Sequence, residues 1–261
     1  MATLGSLAVG SSVYFEVSGI RTEFIIVHQG LPSVDYDSSC DGAWLLMKDV
    51  YVVDKYHTSS SNGSNYATSY VHSYLNNDFV NLIDANVIAG IKQVKIPYIK
   101  WGGSTSSSTV ETGTNGLSTK FFLLATKEAG GTATGTANSV GVALQYFDGG
   151  SDSKRIAYLN GTATAWWTRS YYESNRVYYV DTEGSLSRLL VNMTRGFRPA
   201  CVLDPSLTVD SSGNIKVGSV VKGLATIGGT SKELCGGHAN IGGIWKEITK
   251  SYYNIGGVWK E

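Results

Sequence analysis

The chain has 261 residues, 42% apolar and only 16% charged, so it suits one large domain with an appendage, or two small domains, and its solubility rests on Ser, Thr, Asn and Gly. Lys plus Arg equals Asp plus Glu at 21 each, with no basic block, which excludes the electrostatic footprint of a nucleic-acid binder. No apolar run approaches the roughly 18–20 residues of a membrane span, and residues 1–10 carry no charged stretch ahead of an apolar one, so neither membrane insertion nor a secretory signal is expected.

Residues 7–15 and 22–27 read as two strands, carried by Val13-Tyr14-Phe15 and Phe24-Ile25-Ile26-Val27 and joined at Ser18-Gly19. A polar loop with Asp35, Asp37 and Asp41 precedes the apolar Ala43-Trp44-Leu45-Leu46-Met47. Those carboxylates lack the spacing and terminal Glu of an EF-hand loop, so they read as solvated turn residues rather than a calcium site. From Tyr66 through Val71, Leu75, Phe79 and Ile83 apolar residues recur at helical spacing, with Asn65 as N-cap. Asn76-Asn77-Asp78 is expected to divide the stretch into two helices, the second ending at Gly90. His72 has no second ligand at i+4 and reads as a satisfied or exposed histidine.

Residues 94–99 form a short strand interrupted by Pro97, and 104–114 is a low-complexity loop. Phe121 to Ala125 is a buried-strand run. Residues 130–136 form a second glycine tract, and neither tract has a phosphate-loop ending or a dinucleotide-binding order. Cys40, Cys201 and Cys235 are odd in number and widely spaced, which suits structural thiols better than a disulfide framework.

The segment 166–203 is the most patterned. Trp166-Trp167-Thr168-Arg169-Ser170 leads into Val177 to Val180, a turn at Glu183-Gly184, and a return run from Leu186 to Val191, which is a hairpin with an aromatic segment before it. Gly196-Phe197-Arg198-Pro199-Ala200-Cys201-Val202-Leu203 enters a final strand. The three strands are expected side by side, with Tyr171 to Arg176 as a loop over them.

This order resembles the end of a domain of uncharacterised function common in clostridial and other Firmicute prophages and surface proteins. Ser69-Tyr70-Val71-His72-Ser73-Tyr74-Leu75-Asn76-Asn77 and Phe121-Phe122-Leu123-Leu124 fit the same pattern, so the resemblance spans roughly residues 7–207. It implies an α+β, C-type-lectin-like domain of twisted antiparallel sheets with two helices, similar in fold to formylglycine-generating enzymes. Those enzymes use a close cysteine pair near the end of the domain, whereas Cys201 stands alone here. No Gly-x-Ser-x-Gly, His-Glu-x-x-His or Ser/His/Asp order occurs. A glycosidase carboxylate pair stays open. The expectation is a protein that is not an enzyme, with no cofactor and no metal site.

After residue 208 the composition changes. Residues 209–217 read as a hairpin and 223–237 as a Gly-rich connector, giving a domain at 1–208, a connector at 209–239 and a tail at 240–261. In the tail, Asn240-Ile241-Gly242-Gly243-Ile244-Trp245-Lys246-Glu247 recurs 14 residues later as Asn254-Ile255-Gly256-Gly257-Val258-Trp259-Lys260-Glu261. Each copy describes a two-residue hairpin turn, with 247–253 as a connecting strand. Short hairpins need neighbours on which to bury a face, so Ile241, Ile244, Trp245, Ile255, Val258 and Trp259 are candidate assembly residues. The element resembles C-terminal modules of phage tail and other virion proteins.

Candidate ligand-binding residues are Tyr171, Tyr172, Asn175 and Arg176, whose Tyr, Asn and Arg chemistry suits adaptable recognition. Trp166, Trp167 and Arg169 read as core, and Arg198 as a structural group tying the last strand to the sheet. The C-type-lectin calcium signature is not found, so sugar binding would be calcium-independent. Together these features lead to a virion protein of a phage or prophage, made in the host cytoplasm. Its expected partners are other virion proteins, identical copies and a bacterial cell-surface glycan. The role is receptor binding at a tail tip or fibre, or capsid or tail decoration. The rival class is a free glycan-binding protein or a formylglycine-generating-like enzyme.

Overall fold

The computed structural model of the chain describes residues 2–60, 63–102 and 107–217, and beyond them the strand segments 224–227, 230–233, 238–241, 244–247, 253–255 and 258–260. It divides into two compact units, Met1–Lys216 and Val217–Glu261. In the first unit the strands are β1 (Ala2–Thr3), β2 (Ser12–Val17), β3 (Ile20–Gly30), β4 (Gly42–Met47), β5 (Val52–Lys55), β6 (Val94–Ile96), β7 (Tyr98–Lys100), β8 (Thr109–Glu111), β9 (Leu117–Thr119) and β10 (Phe121–Phe122). They continue as β11 (Tyr158–Leu159), β12 (Thr162–Ala163), β13 (Trp166–Glu173), β14 (Arg176–Val180), β15 (Leu186–Leu190), β16 (Thr194–Phe197), β17 (Ala200–Leu203), β18 (Thr208–Val209) and β19 (Ile215–Lys216). Two helices, α1 (Tyr70–Asn77) and α2 (Ala85–Gly90), lie between β5 and β6. The unit is thus α+β with strands predominant. Among the described residues no helix is long and apolar enough to cross a membrane.

Two five-stranded sheets carry the unit. The first has the order β10-β17-β4-β3-β2 and is antiparallel throughout. Its opening hairpin turns at Ser18 and Gly19, both at positive φ (53° and 74°), the backbone that a two-residue turn between right-twisted strands requires. Central β4 is buried at every position. The second sheet has the order β15-β14-β13-β16-β5, and its only parallel step is the pairing of Trp166 with Gly196 between β13 and β16.

The closing segment does not form one strand beside the hairpin. β16 lies in the second sheet and β17 in the first, so Arg198-Pro199 is the crossing between them, and proline at that point removes a donor that no ladder needs. The Arg198 guanidinium replaces the missing ladder. It donates from Nε to the Met47 carbonyl (2.9 Å), from Nη2 to Lys48 (2.9 Å) and from Nη1 to Arg155 (3.3 Å). It faces the Trp166 ring at 5.1 Å and forms no ion pair among the described residues, and burial pulls its pKa down to about 10.

Asn65 caps the 3-10 turn Tyr66–Thr68, while α1 is capped by Ser69, whose hydroxyl accepts the His72 N–H at 3.1 Å. Asp84 caps α2. Val71 and Leu75, four apart, turn into the core, followed by Phe79 from the 3-10 turn between the helices. The low-complexity loop expected at 104–114 contains β8, which pairs with β7. Cys40 and Cys201 are buried free thiols; Cys235 lies outside the described residues. The hairpin of β18 and β19 pairs with β1, Ala2 opposite Val209, so the first unit runs on to Lys216 instead of ending at 208.

The second unit holds three hairpins: β20 (Leu224–Ile227) with β21 (Thr230–Glu233), β22 (His238–Ile241) with β23 (Ile244–Glu247), and β24 (Tyr253–Ile255) with β25 (Val258–Lys260). The stretch expected to be a plain connector therefore carries a hairpin of its own. Its innermost pair, Ile227 with Thr230, matches Ile241 with Ile244 and Ile255 with Val258. Ile227-Gly228-Gly229 with Lys232-Glu233 stands 14 residues ahead of Ile241-Gly242-Gly243 with Lys246-Glu247. The repeat is threefold. The expected strand over 247–253 lies partly outside the described residues.

Candidate functional site

The hairpin of β13 and β14 presents the candidate binding residues. The hairpin expected over 177–191 is present as β14 with β15, and β13, expected as an aromatic segment ahead of it, pairs with β14 as well; its register shifts twice, between Trp167 and Tyr171 and between Tyr171 and Glu173. Each shift is a bulge that re-aims the side chains beyond it. As a result Tyr171 and Tyr172 belong to the strand, and the loop expected over 171–176 shrinks to the turn at Ser174 and Asn175.

Tyr171 is only 5% exposed and packs edge-on against Trp101, ring centroids 5.9 Å apart. It is a core residue, which corrects its place among the recognition residues. Tyr172 is half-buried, with Tyr178 edge-on at 5.6 Å and the Arg188 guanidinium 4.4 Å from its ring centroid. Asn175 is half-buried, and its carbonyl accepts the Val191 N–H at 3.0 Å. Arg176 is exposed and pairs with Glu173 at 3.0 Å. Tyr172, Asn175 and Arg176 thus lie at the turn end of the hairpin. Arg188, which joins them, was missed because its ring partner Tyr172 lies two strands away in the sheet and the pair leaves no signal along the chain.

The tip rests on a rigid base. Trp166, Trp167 and Arg169 are buried; the two indole N–H groups donate to the carbonyls of Arg155 (2.9 Å) and Asp54 (3.2 Å). Arg169 makes two bonds to Glu128, and also donates to the carbonyls of Leu123 (2.8 Å) and Pro97 (3.2 Å). Tyr36 donates to the same Glu128 carboxylate at 2.6 Å. Ser64 donates to the Glu173 carbonyl at 2.8 Å and ties a neighbouring loop to the tip. A turn held this way loses little further entropy on meeting a ligand.

Among the described residues no cluster of His, Cys, Asp and Glu could hold a metal. Asp37 is taken up in a turn, its carboxylate accepting the Ser39 N–H at 2.9 Å. His72 is partly buried beside Tyr66 and Asn76, and burial pushes its pKa down to about 4. Burial likewise raises both described thiols, Cys40 to about 12, which leaves them protonated and unreactive at neutral pH.

The sequence pattern described as Domain of unknown function (DUF6273) matches residues 41–205, more than half of the chain. The chain belongs to this DUF6273 family. No curated protein and no solved structure matched it. The DUF6273 segment starts just ahead of β4 and ends just after β17, so it contains the whole second sheet, the helices and the tip. The outer strands β2 and β3 and the hairpin of β18 and β19 fall outside it.

Proposed function

We propose that the chain is a non-enzymatic virion protein of a bacteriophage or prophage, with a C-type-lectin-like first unit displayed on the particle and a second unit that mediates assembly. The observation that carries this reading is the division of labour along the chain. A polar, aromatic hairpin tip stands on a fully bonded base in one unit, and three hairpins of one repeated pattern make up the other. Two-stranded hairpins are marginal by themselves, so the candidate assembly residues Ile241, Ile244, Trp245, Ile255, Val258 and Trp259 are read as contacts to virion partners and to identical copies. The tip offers Tyr172, Asn175 and Arg176, with Arg188 beside them, for calcium-independent contact with a bacterial surface glycan or protein.

A chiefly structural decoration role is the second reading. It is favoured by the pairing of Arg176 with Glu173, which occupies part of the tip's hydrogen-bonding capacity within the chain. Host adsorption by particles carrying Tyr172→Ala with Arg176→Ala separates the two: reduced adsorption with normal protein incorporation supports receptor binding, and unchanged adsorption supports decoration. Normal incorporation of a chain ending at Lys216 would overturn the assembly role.

A further inference from the structure

A groove of about 480 Å³ lies on the second sheet, lined from β5, β16, the end of β14 and the residues just ahead of β13. That volume is within the roughly 300–1,000 Å³ of small-molecule sites. Its walls combine Val53, 40% exposed, with Thr164, Tyr179, Asp181, Thr194 and Arg195. The Tyr179 ring is held edge-on by Trp167 at 6.0 Å, and the Arg195 guanidinium lies 4.5 Å from its centroid.

The polar groups of this groove are incompletely used. Asp181 accepts the N–H groups of Glu183 (3.0 Å) and Ser185 (2.8 Å) on Oδ1, and among the described residues Oδ2 has no hydrogen-bond donor. Arg195 donates from Nη1 to the Thr194 carbonyl (2.8 Å) and forms no ion pair among the described residues. Among the described residues four buried polar side-chain atoms have no partner, Tyr56 Oη, His57 Nε2, Asn192 Oδ1 and Arg195 Nε. Of these four, Arg195 lines the groove, while Tyr56, His57 and Asn192 follow β5 or precede β16 outside its lining. Such atoms are rare in a folded protein, so the unpartnered Arg195 Nε in the wall is a donor the fold itself does not use.

We propose that this groove binds a neutral saccharide. One acid and one base line it, so it attracts neither sign of ligand, and the mixture of acceptor, donor, hydroxyl and methyl groups matches a ring that carries hydroxyls at its rim and C–H bonds on its faces. Asp181 accepts a hydrogen bond from a ligand hydroxyl, Arg195 donates to a ring or hydroxyl oxygen, and Val53 covers a C–H face. The proposal rests on the recognition half of the proposed function and is independent of the particle.

The test uses the full chain with methyl glycosides of glucose, galactose and N-acetylglucosamine, read by saturation-transfer NMR and titration calorimetry. At least one glycoside is expected to bind, with affinity reduced tenfold or more by Asp181→Asn, which keeps the turn acceptor, and by Thr194→Trp, which fills the groove from an exposed position. Val34→Ala, in an exposed loop away from the lining, leaves affinity unchanged. Absence of transfer from all three glycosides overturns the proposal, as does binding indifferent to Thr194→Trp in a chain whose thermal melting is unaltered. Cell-wall binding lost with Tyr172→Ala yet retained with Thr194→Trp also overturns it, while leaving the recognition reading intact.

Discussion

Arg169 and Glu128 meet as a fully buried, two-bond ion pair, Nη1 to Oε2 and Nη2 to Oε1, each at 2.5 Å. The pair joins the middle of β13 to the turn after β10, and Glu128 also takes the Ala125 N–H at 2.9 Å. Removing one partner strands the other charge in the core. Glu128→Gln or Arg169→Met is therefore expected to cost about 3–5 kcal/mol, measured by chemical denaturation. A loss under 1 kcal/mol would show that water or another group reaches the site.

Arg198 holds the crossing between the two sheets through three carbonyls. Lysine keeps the charge but cannot span Met47, Lys48 and Arg155 at once. Arg198→Lys is expected to destabilise the first unit by about 2–4 kcal/mol, seen as a lowered denaturation midpoint.

Tyr171 and Arg176, on either side of the hairpin turn, should respond in opposite ways. Tyr171→Ala empties a buried position against Trp101 and is expected to cost about 2–4 kcal/mol. Arg176→Ala, at an exposed pair, should change stability by less than about 1 kcal/mol while weakening adhesion to host cells. Parallel thermal melts and binding assays check both.

His72 should give the stability a pH dependence. Its folded pKa of about 4 lies below the ordinary value of 6.5 because burial disfavours the charged ring. The unfolded chain therefore binds more protons between those values, so stability is full above pH 6.5 and falls as pH drops toward 4, by on the order of 3 kcal/mol. Urea unfolding at pH 7, 5.5 and 4 should show a shallower decline in His72→Gln than in the parent chain.

Much of the local structure was legible in the sequence. The turns at Ser18-Gly19 and Glu183-Gly184 and the break at Pro97 depend on neighbours in sequence and appear where their residues imply, whereas the helix expected after Asn65 begins at Tyr70 behind a Ser69 cap, because Tyr66–Thr68 closes as a 3-10 turn first. The burial of Tyr171 depends on two register shifts that no periodicity encodes. The division of 196–203 between two sheets depends on which distant strands, β5 and β4, receive it. At the tip, Tyr172, Asn175 and Arg176 were accessible to reasoning from residue type, whereas Arg188 and the Arg195 groove arise from cross-strand contacts. The third repeat was present in Ile227-Gly228-Gly229 but lacks the tryptophan, with Ser231 at the position of Trp245 and Trp259, and so was hidden behind its glycine content.

The measurement that tests the division into a recognition unit and an assembly unit most directly compares the full chain with one ending at Lys216, by light scattering and by binding to host cell walls. The shorter chain keeps β18 and β19 and their pairing with β1, so its folding is expected to be preserved. The account predicts a monomer that still binds walls, against a full chain that self-associates. A shorter chain that loses wall binding while remaining folded, or that self-associates as the full chain does, would contradict it.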